Sequence, residues 1–462
     1  MKNLDPLKDA LYHPNPKIRR RAVEQLAGEG EAAVPILVTA LRDEFPDIRQ
    51  MTAAALGKIA HPGATQFLIP ILGDVEADVR REVMKALRRI GPTATEQLMG
   101  AMNHSNRAVR AACAYLLGEM GEPRALRLLM EALVDQSDHV RKQAAIALGK
   151  LREPAAIPAL IDALSDPSYA VQEAVSEALK QIGPPAVKAL LQAINDYDWV
   201  RRMNAANALG HSGDEQAVQA LLETLADPQE MVRQAAVEAL GMLANPKAVT
   251  PLIRMLKDHV PTVRALTAHA LGQIGEPAAI PALIEAAQDT SHDVRSYVAL
   301  ALGEIQDPRA AMALVQLLHD RNEDVRAQAA FSLGKTRSKE ASQELIRLLR
   351  DNDLQVRGYA ISALGEIGEP MAVPSLIPFL QGVDEDLAEL TVSALIKIGA
   401  PAEVALRPYA RHTDPMVRER AVKVLKQISP SAGGEKREPT VPRTGGLMDA
   451  IRKVTGGLKK KE

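Results

Sequence analysis

Asp135-Gln136-Ser137-Asp138-His139-Val140-Arg141-Lys142-Gln143-Ala144-Ala145-Ile146-Ala147-Leu148-Gly149 decides the fold of this chain. Val140, Ala144 and Leu148 stand at i, i+4 and i+8, which places them on one stripe of a 3.6-residue helix. A shorter apolar segment follows, with Ile157, Leu160, Ile161 and Leu164 at helical spacing and Pro158 near its start, where proline is tolerated. Asp135, six residues before Arg141, falls in the turn between helices, where an aspartate bonds nearby orphan amides.

Outward from that stretch the same pattern recurs at intervals of 30 or 31 residues. The arginine returns as Arg19, Arg49, Arg80, Arg110, Arg202, Arg233, Arg264, Arg295, Arg326, Arg357 and Arg418, with Gln172 and Ala388 in the two remaining slots. The leucine seven residues later never fails, from Leu26 through Leu148 and Leu302 to Leu425. The turn aspartate recurs from Asp43 to Asp351, and His13, His104 and His412 replace it in three other repeats, which implies a hydrogen-bonding role at the turn. Helix two often ends Leu-Gly-x-Ile-Gly, as at Leu271 to Gly275: the second glycine suits a left-handed stop and the first a close approach of backbones. One such hairpin cannot bury its own apolar stripe, so about 14 units must stack into one array.

With its period, its Asp, Val-Arg, Ala-Leu-Gly and Ile-Gly, the chain resembles HEAT-like repeats of the phycobilisome-lyase type over roughly residues 1–428. The resemblance implies an all-α fold, a right-handed α-solenoid whose second helices line the concave face, with Asp-Arg pairs forming a ladder. It leaves activity open, because members include bilin lyase subunits, deoxyhypusine hydroxylase and many scaffold or regulatory proteins. Paired His-Glu motifs hold the irons of deoxyhypusine hydroxylase, and none of the 10 histidines here precedes a glutamate.

Composition agrees with a helical array: hydrophobic residues make up 47% and aromatics only 3%, so beta propensity is weak. Cys113 is the single cysteine, which excludes an intrachain disulfide, and it occupies a small-residue core slot. The first nine residues lack the apolar core of a signal peptide and no stretch approaches a membrane span, so the cytoplasm is the expected address. A net charge of −2 argues against specific nucleic-acid binding. Arg20, Arg21, Arg81, Lys85, Arg89 and Lys142 form a local basic set, but Glu24 and Glu82 interrupt it, as on a solvated face. No Walker loop, zinc spacing, nucleophile elbow or dinucleotide fingerprint appears, so no catalytic residue, metal or cofactor is expected. The ladder arginines are expected to pair with the aspartate of their own turn, six residues earlier, as exposed pairs worth about 1 kcal/mol or less, well below the loss from truncating a slot leucine.

Positions two and five after the arginine project from the second helix, and there the two halves differ. They are mixed and polar early, with Arg21, Glu24, Glu82, Lys85, Gln143, Ile146, Asn204 and Asn207. Later they turn largely apolar and partly aromatic, with Leu266, His269, Tyr297, Leu300, Gln328, Phe331, Tyr359, Ser362, Leu390 and Ser393. A partner groove or a supplement to the core both account for this strip. Repeat seven carries Tyr197 and the only tryptophan, Trp199, as a mid-array anchor or a local repacking around Arg201. Residues 429–446 read as a flexible linker. Residues 447–462 follow as a basic tail, with Leu447, Ile451, Val454 and Leu458 at helical spacing beside Lys459, Lys460 and Lys461. The tail reads as an amphipathic helix for an anionic membrane or a partner, or as a solubilising end. The expected function is a non-catalytic scaffold binding a protein or peptide on its concave face; the alternative is a bilin lyase or chaperone-like component in chromophore attachment.

Overall fold

The computed structural model describes residues 4–382 and 384–429. The chain divides into two compact units, residues 1–363 and 364–462. The greater part of the linker, and the tail positions Leu447, Ile451, Val454, Leu458 and Lys459 to Lys461, lie outside the described residues. No strand occurs among the described residues, and the fold is an all-α solenoid.

Fourteen second helices run from Pro16–Ala27 to Pro415–Ile428, each preceded by a shorter first helix. Proline opens several second helices, as in Pro46–Ile59 and Pro261–Ile274, where its missing N–H costs nothing. From Pro16–Ala27 to Glu323–Lys335 each second helix packs along the next. The slot leucines Leu26, Leu148 and Leu302 are fully buried there. Leu425, in the last described helix, is only partly covered. The first glycine of the Leu-Gly pair sets the spacing: a Cβ on Gly272 would lie 2.8 Å from Ala301 Cα in the following repeat. The second glycine is a stop, since Gly275 ends its helix at φ 77°. Cys113 is buried, and burial pushes its thiol up to about 12.

The arginines do form a ladder, but their carboxylate partner is not the aspartate of their own turn. In nine repeats the guanidinium Nε donates at 2.6–2.9 Å to the aspartate of the following repeat. Arg295 is representative. Its Nε and Nη2 donate to Asp320, and its Nη1 donates to the backbone carbonyls of Asp289 and Thr290 in its own turn. Asp320 in turn accepts the N–H of Asn322. His13, His104 and His412 keep this last role through Nδ1, accepting from Asn15, Asn106 and Asp414.

Contrary to the expectation of an exposed pair, Arg295 is 6% accessible and Asp320 is equally enclosed. The reason is geometric: a guanidinium bridging two repeats lies inside the seam between them. Where the ladder arginine is missing, a residue two places after the next one reaches back. Asn204 Nδ2 donates to Leu164 O at 2.8 Å beyond Gln172, and Arg420 Nη1 donates to Leu380 O at 2.8 Å beyond Ala388. Asn204 is therefore a buried tie rather than a variable surface position. Arg201 fills the remaining gap in repeat seven, donating to Asp196 at 3.1 Å.

Removing one partner of a buried pair strands the other charge, so Arg295→Ala should cost about 3–5 kcal/mol. That falls beside Leu302→Ala at about 2–5 kcal/mol. Adding Asp320→Ala to Arg295→Ala should restore part of the loss. Denaturant unfolding followed by several probes checks this, because arrays need not unfold in two states. A loss below about 1 kcal/mol for Arg295→Ala would return the pair to the exposed class.

The ladder also predicts an acid limb. Arg110 holds the Asp135 carboxyl below its ordinary value. At Asp320 burial pushes upward, but Arg295 and the Asn322 N–H outweigh it and the carboxyl is likewise held low. The unfolded chain thus takes up protons first, and the stability from these pairs is complete above the unfolded carboxylate value of about 4 and lost as pH falls through the folded values. Urea midpoints should stay level from about pH 7 to 5 and fall below about pH 4, less steeply in Asp135→Asn. A flat profile down to about pH 3 would contradict the ladder's contribution.

Candidate partner-binding face

The helices Pro261–Ile274, His292–Ile305, Glu323–Lys335 and the portion of Leu354–Ile367 up to Ala363 stand side by side in the first unit. Positions two and five after each arginine slot share one face of each helix. Stacking therefore lines up Leu266, Tyr297, Leu300, Phe331 and Tyr359 across successive helices. Tyr297 packs against His269 with ring centroids 5.6 Å apart, and Phe331 meets Tyr359 edge-on at 5.9 Å.

The strip is not uniformly open. Tyr297 and Tyr359 are buried at 7% and 9% accessibility, whereas Leu266, His269, Leu300 and Phe331 are half-buried. The tyrosines thus serve as inter-repeat packing beneath an apolar surface formed by the others. Burial, with Asp293 and Glu238 nearby, raises the Tyr297 hydroxyl, and burial alone raises Tyr359. Burial also holds the His269 imidazole low despite Glu304. His269 Nδ1 and Gln328 Nε2 have no hydrogen-bond partner in this face. In the second unit, Leu390 is half-buried.

Asp293 and Asp324 belong to the same face and were not singled out from the sequence. Each lies four residues before Tyr297 or Gln328, so helical spacing alone signals them. Asp324 is pushed above the usual carboxylate range by burial and by the neighbouring carboxylates Glu323, Asp353 and Asp293.

Tyr197 and Trp199 fall elsewhere. Both sit at the turn that begins the helix Trp199–Gly210, on the ladder edge, with Tyr197 at 94% and Trp199 at 39% accessibility. The early half of the face is polar and internally neutralised, through Arg20–Asp47, Arg81–Asp78 and Lys85–Glu82. Among the described residues no group of three or more His, Cys, Asp or Glu is arranged to hold a metal, and no helix is long and apolar enough to cross a membrane.

The model for HEAT repeats matches residues 4–88, 66–147, 129–204, 187–267, 256–324 and 311–396 in overlapping segments. The chain belongs to the HEAT-repeat family. A curated relative is the uncharacterized phycocyanin operon protein Z of Pseudanabaena tenuis, 29% identical over 123 residues that make up 24% of this chain. The HEAT-repeat chain covers 61% of the length of that relative. Among solved structures, that describing Kap95p binding to RanGDP superposes with a TM-score of 0.64 at 14% identity, covering 99% of this chain and 75% of the other. Kap121p bound to Pho4p gives a TM-score of 0.61 at 16% identity, covering 92% of this chain and 57% of the other. At these identities the likeness is one of fold.

Burial separates the aromatic positions by their effect on folding. Tyr297→Ala should cost about 3–5 kcal/mol, as for other buried aromatic truncations, and half-exposed Phe331→Ala clearly less. Unfolding midpoints of the two variants test the order; equal losses would make Phe331 an inter-repeat core residue.

Proposed function

We propose that this HEAT-repeat chain is a non-catalytic cytoplasmic scaffold that holds a protein or peptide partner on the concave face of its second helices. One observation carries this: the half-buried apolar surface of Leu266, Leu300 and Phe331, in register on consecutive helices and seated on Tyr297 and Tyr359. The fold tolerates polar residues in the same slots of earlier repeats, such as Glu82 and Lys85, so packing does not demand the apolar ones. Partly accessible apolar continuity of this kind supports an interaction surface. Kap121p, of like fold, has been solved with Pho4p bound, which agrees with a protein ligand. Leu390 adds a further apolar position in the second unit, Tyr197 with Trp199 a separate anchor at the turn edge, and the tail from Leu447 to Lys461 a contact for an anionic surface.

The test is affinity capture with the full chain against Leu300→Ser and Phe331→Ser. Proteins retained by the wild type should be lost from both variants while helical content is unchanged. Retention of the same proteins by both would reject this face.

A second function is favoured by the likeness to a phycocyanin operon protein: assistance in attaching a bilin to an acceptor protein. Covalent bilin on an acceptor in a defined mixture containing this chain, and none without it, would support that role.

A further inference from the structure

The two ends of the array treat the same aspartate slot differently. Two residues before the ladder arginine, repeats two and three carry Asp47 and Asp78; Asp47 is paired with Arg20 and Asp78 with Arg81 on the same face. Repeats ten and eleven carry Asp293 and Asp324 in that slot. Among the described residues no lysine or arginine forms an ion pair with either. Asp293 has only the His292 ring at 3.5 Å, and Asp324 has Glu323, Asp353 and Asp293 as charged neighbours besides His292. Lys335, in the last turn of the helix Glu323–Lys335, is tied to Glu304.

Carboxylates at helix N-termini are favoured by the macrodipole, which accounts for their presence. It does not account for the absence of counter-cations here when the same slot is neutralised at Asp47 and Asp78. Repulsion among these carboxylates is relieved by protonation or by bringing in positive charge. The result is an apolar band flanked along one edge by unneutralised negative charge.

We propose that the face formed by repeats nine to twelve receives an amphipathic basic segment of a partner protein, its apolar side chains on Leu300 and Phe331 and its lysines or arginines against Asp293 and Asp324. This rests on the scaffold function above and specifies its ligand. Four helices at about 9–10 Å spacing make a face about 30 Å long. A helical segment of about 18–20 residues spans it.

The probe is a fluorescein-labelled peptide of about 18 residues, leucine at i, i+3, i+4 and i+7 with lysine elsewhere, beside a counterpart with glutamate for lysine. Fluorescence anisotropy with the full chain should register the lysine peptide and not the glutamate peptide. Asp293→Asn with Asp324→Asn, close in shape and at exposed positions, should weaken binding about tenfold at low salt and little at about 0.5 M salt. Phe331→Ala should weaken it at both.

Equal binding of the two peptides, or no loss on removing the carboxylates, overturns the basic ligand. If Phe331→Ser still abolishes capture of proteins in that event, the scaffold function stands and only its ligand class falls; if neither substitution matters, both fall. Deleting residues 430–462 should leave peptide affinity unchanged. An increase of about tenfold or more would make the chain's own basic tail the occupant and overturn the assignment to a partner.

Discussion

A repeat of about 31 residues cannot enclose its own apolar stripe, and every feature of the array answers to that constraint. Leu302 is fully buried because helices of adjacent repeats close over it, and glycines such as Gly272 let their backbones meet closely. A side chain at Gly272 would collide with the backbone of Ala301, not with a movable rotamer. Leucine and glycine are thus two halves of one requirement, burial and approach.

Directional order along the array comes from the ladder. In nine repeats the arginine binds carbonyl oxygen of its own turn and a carboxylate of the next, as Arg295 does, so it joins two repeats in a single planar group. Lysine has no such fork and would not satisfy both sides at once. Where the arginine is lost, at Gln172 and Ala388, Asn204 and Arg420 tie back over 40 residues to carbonyls at equivalent positions, Leu164 and Leu380. The seam between repeats is kept even when its usual chemistry is not.

With stability assigned to seam and stripe, the outer positions of the second helices are free to differ between repeats. The early ones cancel their charges internally through Arg20–Asp47 and Arg81–Asp78, which leaves a well-solvated face. The later ones combine half-buried Leu300 and Phe331 with Asp293 and Asp324, and this imbalance is what makes them a candidate for a ligand.

The sequence by itself determined the architecture, because a pattern repeated at 30 or 31 residues has one physical meaning: Leu302, Gly272 and the arginine slots could be assigned from spacing alone. It also located the strip from Leu266 to Tyr359, since helical period dictates which positions share a face. Spacing within one repeat carries no information on what lies across the seam, and there the tertiary structure decided. It moved the partner of Arg295 from Asp289 to Asp320, buried the pair, sank Tyr297 and Tyr359 beneath Leu300 and Phe331, and made Asn204 a structural tie. Each of these depends on the distance between neighbouring helices, a quantity set by packing rather than by the order of residues along the chain.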